Sequence, residues 1–250
     1  MSGERLAASL KVHEMGLHDT QPAFVLHSYP FRETSLLLEI FTRNFGRIPL
    51  VARGARRPKS VQRGILRAFQ PLLLSWSGKS ELRTLRRAEW EGTPFRLSGM
   101  ALLCGFYLNE LLLKLLPRDD PHELLFAHYR ETLLALGTQN NRAIILRRFE
   151  LRLLKELGYA LPLEHDAETG RMVKPNYQYR YVIERGPVSA GGAQEEAQFL
   201  GKTLLDMALD DYSDPVTLQQ SKTLMRLLIN HYLGNQTLHT RQLLKDMHHL

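Results

Sequence analysis

From Ala23 to Trp90 the apolar residues come in short runs that Pro, Gly, Ser or Arg interrupts, and after Pro94 they lengthen into stretches of helical size. Short runs rich in Val, Ile, Leu and Phe between turn formers are strand signals. They predict strands near residues 23–27, 36–42, 46–52, 70–76 and 81–88, the second and third joined through Asn44, Phe45 and Gly46. Five strands packed so closely along the chain point to a small barrel, and a five-stranded OB barrel is one of that size. The fold class expected is therefore α+β: an N-terminal OB-fold barrel followed by a mainly helical C-terminal domain.

Beyond Pro94, residues 97–116 are apolar on nearly every side, the pattern of a buried central helix. Asp120, Pro121 and Glu123 then read as an N-cap, a proline at the first helical position and a capping-box acid, opening a helix to about residue 136. A third helix is expected over 142–157, stopped by Gly158. Residues 159–194 are loop-rich, with a hairpin in which Tyr177, Tyr179 and Tyr181 share one face of a strand. Helices over 195–209 and 215–233, the second behind the cap Asp214, and a short piece after Thr240 complete the chain. The domains expected are a flexible tail over 1–21, the OB-fold over 22–94, and a helical domain over 95–250 with the hairpin inserted around 159–194.

Charge is divided as unevenly as texture. Residues 1–99 carry 16 Lys and Arg against 8 Asp and Glu, whereas residues 100–250 carry 17 against 18. Between Arg43 and Arg87 twelve cations meet one acid, Glu81. Such a field attracts a polyanion. No apolar run approaches the roughly 20 residues that span a bilayer, and the first twenty residues lack the apolar core of a secretory signal. Nucleic acid is thus the expected partner, no membrane association is expected, and the expected location is cytoplasmic. The DNA-binding candidates are Arg32, Arg47, Arg53, Arg56, Arg57, Lys59, Arg63 and Arg83. A single-strand site also needs flat side chains on which unpaired bases stack, and Phe31, Phe45, Phe69 and Trp76 are available, unless they fill the barrel.

Catalytic patterns are missing from the sequence. There is no Gly-x-Ser-x-Gly elbow, no His-Glu-x-x-His and no Gly-x-Gly-x-x-Gly. Gly201-Lys202-Thr203 resembles the end of a phosphate-binding loop, but Glu196 stands where the motif needs glycine. The acidic pairs Asp119-Asp120 and Asp210-Asp211 are the nearest candidates for a metal-dependent nuclease, and both fall at helix ends, where capping accounts for them. His165, Asp166 and Glu168 offer a weak mixed metal site on one loop. One cysteine, Cys104, supports neither an internal disulfide nor a four-thiolate zinc site. No catalytic residue, no metal and no cofactor are expected; an OB-type RNA-binding or translation module remains the rival reading, with a nuclease behind it.

The third helix carries a second feature. At 100° per residue, Leu146, Phe149, Leu153 and Leu157 form one apolar face, and Leu151 and Leu154 fall nearly opposite, beside Arg147. With Arg148, Arg152 and Lys155 flanking, this second patch would suit a short acidic peptide with an apolar end, or else the helix is packed on both sides.

The runs Ala23-Phe24-Val25-Leu26-His27-Ser28, Glu33-Thr34-Ser35-Leu36, Leu50-Val51-Ala52-Arg53-Gly54-Ala55-Arg56 and Tyr107-Leu108-Asn109-Glu110-Leu111-Leu112 resemble the RecO recombination-mediator family. So do Leu146-Arg147-Arg148-Phe149-Glu150-Leu151 and Leu157-Gly158-Tyr159. The resemblance runs from about Pro22 into the third helix and is weaker beyond Gly158. It implies an OB fold, binding of single- and double-stranded DNA, strand annealing, and cooperation with RecR to load RecA on strands coated by single-stranded-DNA-binding protein. It also implies that the acidic C-terminal tail of that coating protein binds the helical domain, where Arg147, Leu151 and Leu154 align with the tail site and Arg148 and Lys155 adjoin it. Some relatives carry a four-cysteine zinc module after the Gly158-Tyr159 equivalent; this chain has no cysteine there.

Overall fold

The computed structural model describes residues 20–78, 80–159, 161–191 and 197–247. The tail expected over 1–21 lies outside them as far as residue 19. The chain divides into two compact units, the first running up to Thr138 and resuming at Leu238, the second comprising Gln139–Thr237.

In the first unit, β1 (Gln21–Phe31), β2 (Ser35–Thr42), β3 (Gly46–Ala52), β4 (Leu72–Ser77) and β5 (Arg83–Trp90) close into a barrel of order β1-β2-β3-β5-β4, with a single turn of helix, α1 (Gln62–Ile65), between β3 and β4. All pairings are antiparallel except β3 with β5. Val25, Leu38, Ile40, Ile48, Leu50, Leu72, Leu74 and Trp76 fill the interior. Strands β1 and β2 also bury part of their outer face, because Phe24 and Phe41, paired in register, lie against Phe126 at 5.4 and 5.3 Å between ring centroids. Burial on both faces is why these segments read as continuous apolar runs instead of alternating ones.

Gly46 shows why the β2–β3 turn takes glycine. Its φ is +65°, and a Cβ there would stand 2.0 Å from the carbonyl oxygen of Asp120. The turn is further pinned by Thr42, whose hydroxyl donates to the Gly46 carbonyl and accepts from the Phe45 amide.

Helix α2 (Gly99–Leu115) buries most of its circumference, Cys104 included. Its one deeply buried polar side chain, Asn109, is satisfied on both sides: Nδ2 donates to the Leu26 carbonyl at 2.8 Å and Oδ1 accepts from the Tyr129 hydroxyl at 2.5 Å. A buried amide so satisfied fixes the register between β1, α2 and α3 (Glu123–Thr138). The expected capping by Asp120 is corrected: α3 opens later, with the Phe126 amide on the His122 carbonyl. Pro121 precedes the helix, and the Asp120 carboxylate meets His122 Nε2 at 3.1 Å instead.

The second unit holds α4 (Arg142–Glu156), a three-stranded antiparallel sheet of order β7-β6-β8, formed by Gly186–Ser189, Gln178–Val182 and Gln198–Leu200, and helices α5 (Gly201–Ala208) and α6 (Pro215–Leu233). Asp214 caps α6 as expected, accepting from the Val216 amide at 2.8 Å. The helix predicted over 195–209 is shorter, because residues 198–200 are extended and pair with β6, while residues 192–196 lie outside the described residues. Gly201 makes the change of direction possible: its amide donates to the Tyr177 carbonyl, and a Cβ there would meet the Lys174 carbonyl oxygen at 2.0 Å. Tyr179 and Tyr181 share the buried face of β6 as predicted, but Tyr177 precedes the strand and is 55% exposed.

The chain ends its described part in α7 (His239–Met247), which belongs to the first unit. Glu110 of α2 accepts from the amides of His239 and Thr240 and from the Thr240 hydroxyl. The carboxylate thus supplies acceptors to the start of that helix.

Candidate nucleic-acid interface

The loop after β3 is the most basic connector of the barrel, and its backbone is fixed at both ends. Ala55 is fully buried in the barrel core, the Arg56 amide donates to the Thr34 carbonyl at 2.8 Å, and its guanidinium reaches the carbonyls of Arg32 and Glu33 at 3.3 Å. These bonds tie the loop to the β1–β2 turn. They gather Arg32, Arg53, Arg56, Arg57 and Lys59 at one end of the barrel, all exposed, with Arg63 following on α1, exposed as well. No ion pair engages Arg53, Arg57 or Lys59 among the described residues.

Arg47 and Arg83 have a different situation. Arg47 donates to Glu39 at 2.8 Å and to the Leu116 carbonyl at 2.9 Å, and Arg83 pairs with Asp119 at 2.6 Å; their side chains are 15% and 18% exposed. Glu39, only 5% exposed within β2, also accepts from Arg118. A buried carboxylate needs such partners, since an uncompensated charge costs several kcal/mol. The signal in the sequence was the acid itself, standing inside the apolar run from Leu36 to Phe41.

Of the aromatics named as stacking candidates, Trp76 and Phe69 are buried and thus unavailable, and Phe45 packs edge-on against Trp76 at 5.3 Å. Phe31 remains partly exposed at the β1–β2 turn. Arg32, left-handed at φ +51°, lays its guanidinium 5.3 Å from the centre of that ring, within cation–π range. Sequence reasoning passed over two further rings: His27 and Tyr29 are exposed on the same strand, 4.3 Å apart.

In the second unit, α4 is covered on both sides. Phe149, Leu153 and Leu154 are fully buried and Leu151 is 6% exposed, so the patch around Leu151 and Leu154 is not an open apolar surface. Arg147 is 9% exposed and pairs with Glu150 at 2.7 Å, Arg148 pairs with Asp210 at 3.0 Å, and Lys155 is exposed. Tyr212 lies within the electrostatic reach of Arg147, Arg148 and Asp210, and burial, with Asp210 adding to it, pushes its hydroxyl up to about 12.

The weaker chemical candidates resolve into structural roles. Asp119 pairs with Arg83 and Asp120 with His122; Asp210 pairs with Arg148, and Asp211 accepts from the Ser213 amide. Lys202 is engaged by Asp206 and Asp214 at the start of α5. Asp166 is 3% exposed, with Oδ1 accepting from the Glu168 and Thr169 amides and Oδ2 from the amide and hydroxyl of Ser189, at 2.7 to 3.0 Å. Burial raises this carboxyl, but the four bonds outweigh it and hold the group far below the usual carboxylate range. Among the described residues no three His, Cys, Asp or Glu side chains come together as a metal site. No described helix is long and apolar enough to cross a membrane.

Comparison with known proteins adds sequence likeness to this geometry. The family model described as Recombination protein O N terminal matches residues 15–94, and the one described as Recombination protein O C terminal matches residues 96–242. A DNA repair protein RecO from Nitrosospira multiformis is 59% identical over 234 residues, 93% of this chain and 97% of its own length. Proteins of the same name from Aromatoleum aromaticum and Azoarcus sp. are 55% and 53% identical, covering 93% and 92% of this chain and 97% and 96% of their own.

Proposed function

The chain belongs to the RecO family of DNA repair proteins, and from there we propose that the basic end of its barrel holds single- and double-stranded DNA and anneals complementary strands. The observation that carries this reading is the exposed set Arg32, Arg53, Arg56, Arg57 and Lys59, gathered at one end of the barrel by the bonds of Arg56 to the β1–β2 turn, with Arg63 exposed on the helical turn that follows. Cations so placed lower the mutual repulsion of two phosphate chains, so that bases can pair without any covalent step. Arg47 and Arg83 contribute to the field at close range, tethered to their acids. Residues 22–94 serve DNA, and the helical remainder, 95–250, serves partners. In this scheme the protein works in the cytoplasm on the nucleoid, with RecR, to load RecA on strands coated by single-stranded-DNA-binding protein.

The test is annealing of two complementary strands coated with that binding protein, followed by fluorescence with and without RecR. Faster annealing that weakens as salt rises is expected; a rate equal to the uncatalysed one at every salt concentration overturns the reading. Competition between DNA and RNA oligonucleotides of one sequence separates it from an RNA-binding module.

For the acidic tail of the coating protein we propose docking on α4, with Lys155 exposed and Arg148 half-exposed beside Asp210 as the cations that meet it, and Arg147, Leu151 and Leu154 packed behind them. Arg147→Ala and Arg148→Ala are each expected to weaken binding of an acidic, apolar-ended peptide by about 1–3 kcal/mol, the value of a charge-assisted hydrogen bond. Calorimetry showing unaltered affinity for both variants removes this assignment.

A further inference from the structure

Beyond its first half, β1 leaves the barrel core: from His27 to Pro30 every residue is exposed, with β2 alongside. A register shift between Val25 and His27 resets the alternation, and from there His27, Tyr29 and Phe31 fall on one face of the strand. Alternate residues on a strand stand about 7 Å apart, a spacing comparable to the reach of one nucleotide. The His27 and Tyr29 rings are 4.3 Å apart, Tyr29 is 46% exposed, and the Arg32 guanidinium lies over Phe31. A cavity of about 540 Å³ opens beside them, bordered by these two residues and by Leu103, Phe106 and Leu113 of α2.

A lone exposed aromatic is ordinary, but two exposed rings and a third, partly exposed one at alternate positions of one strand are not, least of all when the strand ends in the cationic cluster. The bond from Arg56 to the Arg32 carbonyl makes the two features continuous. A single strand whose phosphates lie on those cations would therefore run its bases along these rings. We propose that His27, Tyr29 and Phe31 form a stacking ladder for the unpaired bases of single-stranded DNA, with Arg32 taking a phosphate at its tip. The ladder gives the protein a preference for unpaired strands that cations alone, which read phosphates in any nucleic acid, do not supply. This rests on the proposal that the barrel end binds DNA.

The experiment compares a labelled oligothymidylate with an abasic oligonucleotide of equal length and charge, by fluorescence anisotropy on the full chain. The unaltered protein is expected to prefer the strand with bases. The double variant His27→Ala, Tyr29→Ala should lose about tenfold for each ring removed, keep its affinity for the abasic strand and keep its salt slope, whereas Tyr29→Phe should behave as the unaltered protein. Because both side chains are exposed, circular dichroism of the double variant is expected to be unchanged. An undiminished preference for bases in the double variant, or equal binding of both strands by the unaltered protein, overturns the ladder while leaving the cationic site standing. Failure of the unaltered protein to bind either strand removes both.

Discussion

Replacing Arg53, Arg56, Arg57 and Lys59 together with alanine is expected to flatten the dependence of single-strand affinity on salt by about 3 in log–log slope, at about 0.7 per phosphate released. At about 0.1 M salt the affinity should fall on the order of a hundredfold or more. The fold should survive, because the loop is anchored by Ala55 and by the Arg56 amide, neither of which the substitutions touch, and the bonds lost from the Arg56 side chain are exposed ones of 3.3 Å. Titrations at four or five salt concentrations decide the matter. A slope equal to that of the unaltered protein would mean that phosphates are held elsewhere on the molecule.

Asp166→Ala should produce the largest loss of stability. Four hydrogen bonds converge on that carboxylate from two separate segments, and removing it leaves the Glu168, Thr169 and Ser189 amides without their acceptor. The expected cost is about 2–4 kcal/mol, read as a lower denaturation midpoint of the unit that contains it. The effect has a pH signature. The folded carboxyl titrates far below its ordinary value of 3.8, so its ionised form is favoured by folding, and this stabilisation is complete above about pH 5. It erodes as the pH falls below about 4 and on toward the folded value. The stability gap between the unaltered protein and Asp166→Ala should accordingly hold steady near neutrality and narrow in acid. A gap that is constant down to pH 3 would show that the charge of Asp166 contributes nothing.

The barrel was legible because five short apolar runs and their turn formers leave few alternatives, and each predicted strand is found within a few residues of its place. The α6 start was legible because Asp214 and Pro215 act locally. What escaped was set by contacts distant in sequence. Residues 198–200 read as helix in isolation, because nothing local shows that β6 offers them an edge. The Asp120 cap failed because the turn holding Asp120 lies against Gly46, far upstream. A count of cations could not separate Arg47 and Arg83, which answer Glu39 and Asp119, from the exposed set, although Glu39 in its apolar run was a visible demand for a partner. Period and charge also said little about α4, whose opposite faces are both covered. The aromatic arm was missed because the register shift at Val25 and His27 is invisible in composition.

The placement of α7 bears on how the protein is made. The helix that Glu110 anchors is encoded after the entire second unit, so on a ribosome α2 emerges long before the segment that will satisfy its carboxylate. Barrel strands can pair as they appear, since β1 to β5 are contiguous, yet the first unit cannot finish until residues past 237 have been synthesised. A nascent chain arrested before that point should carry a closed barrel with an incompletely covered α2, and be a ready client for chaperones.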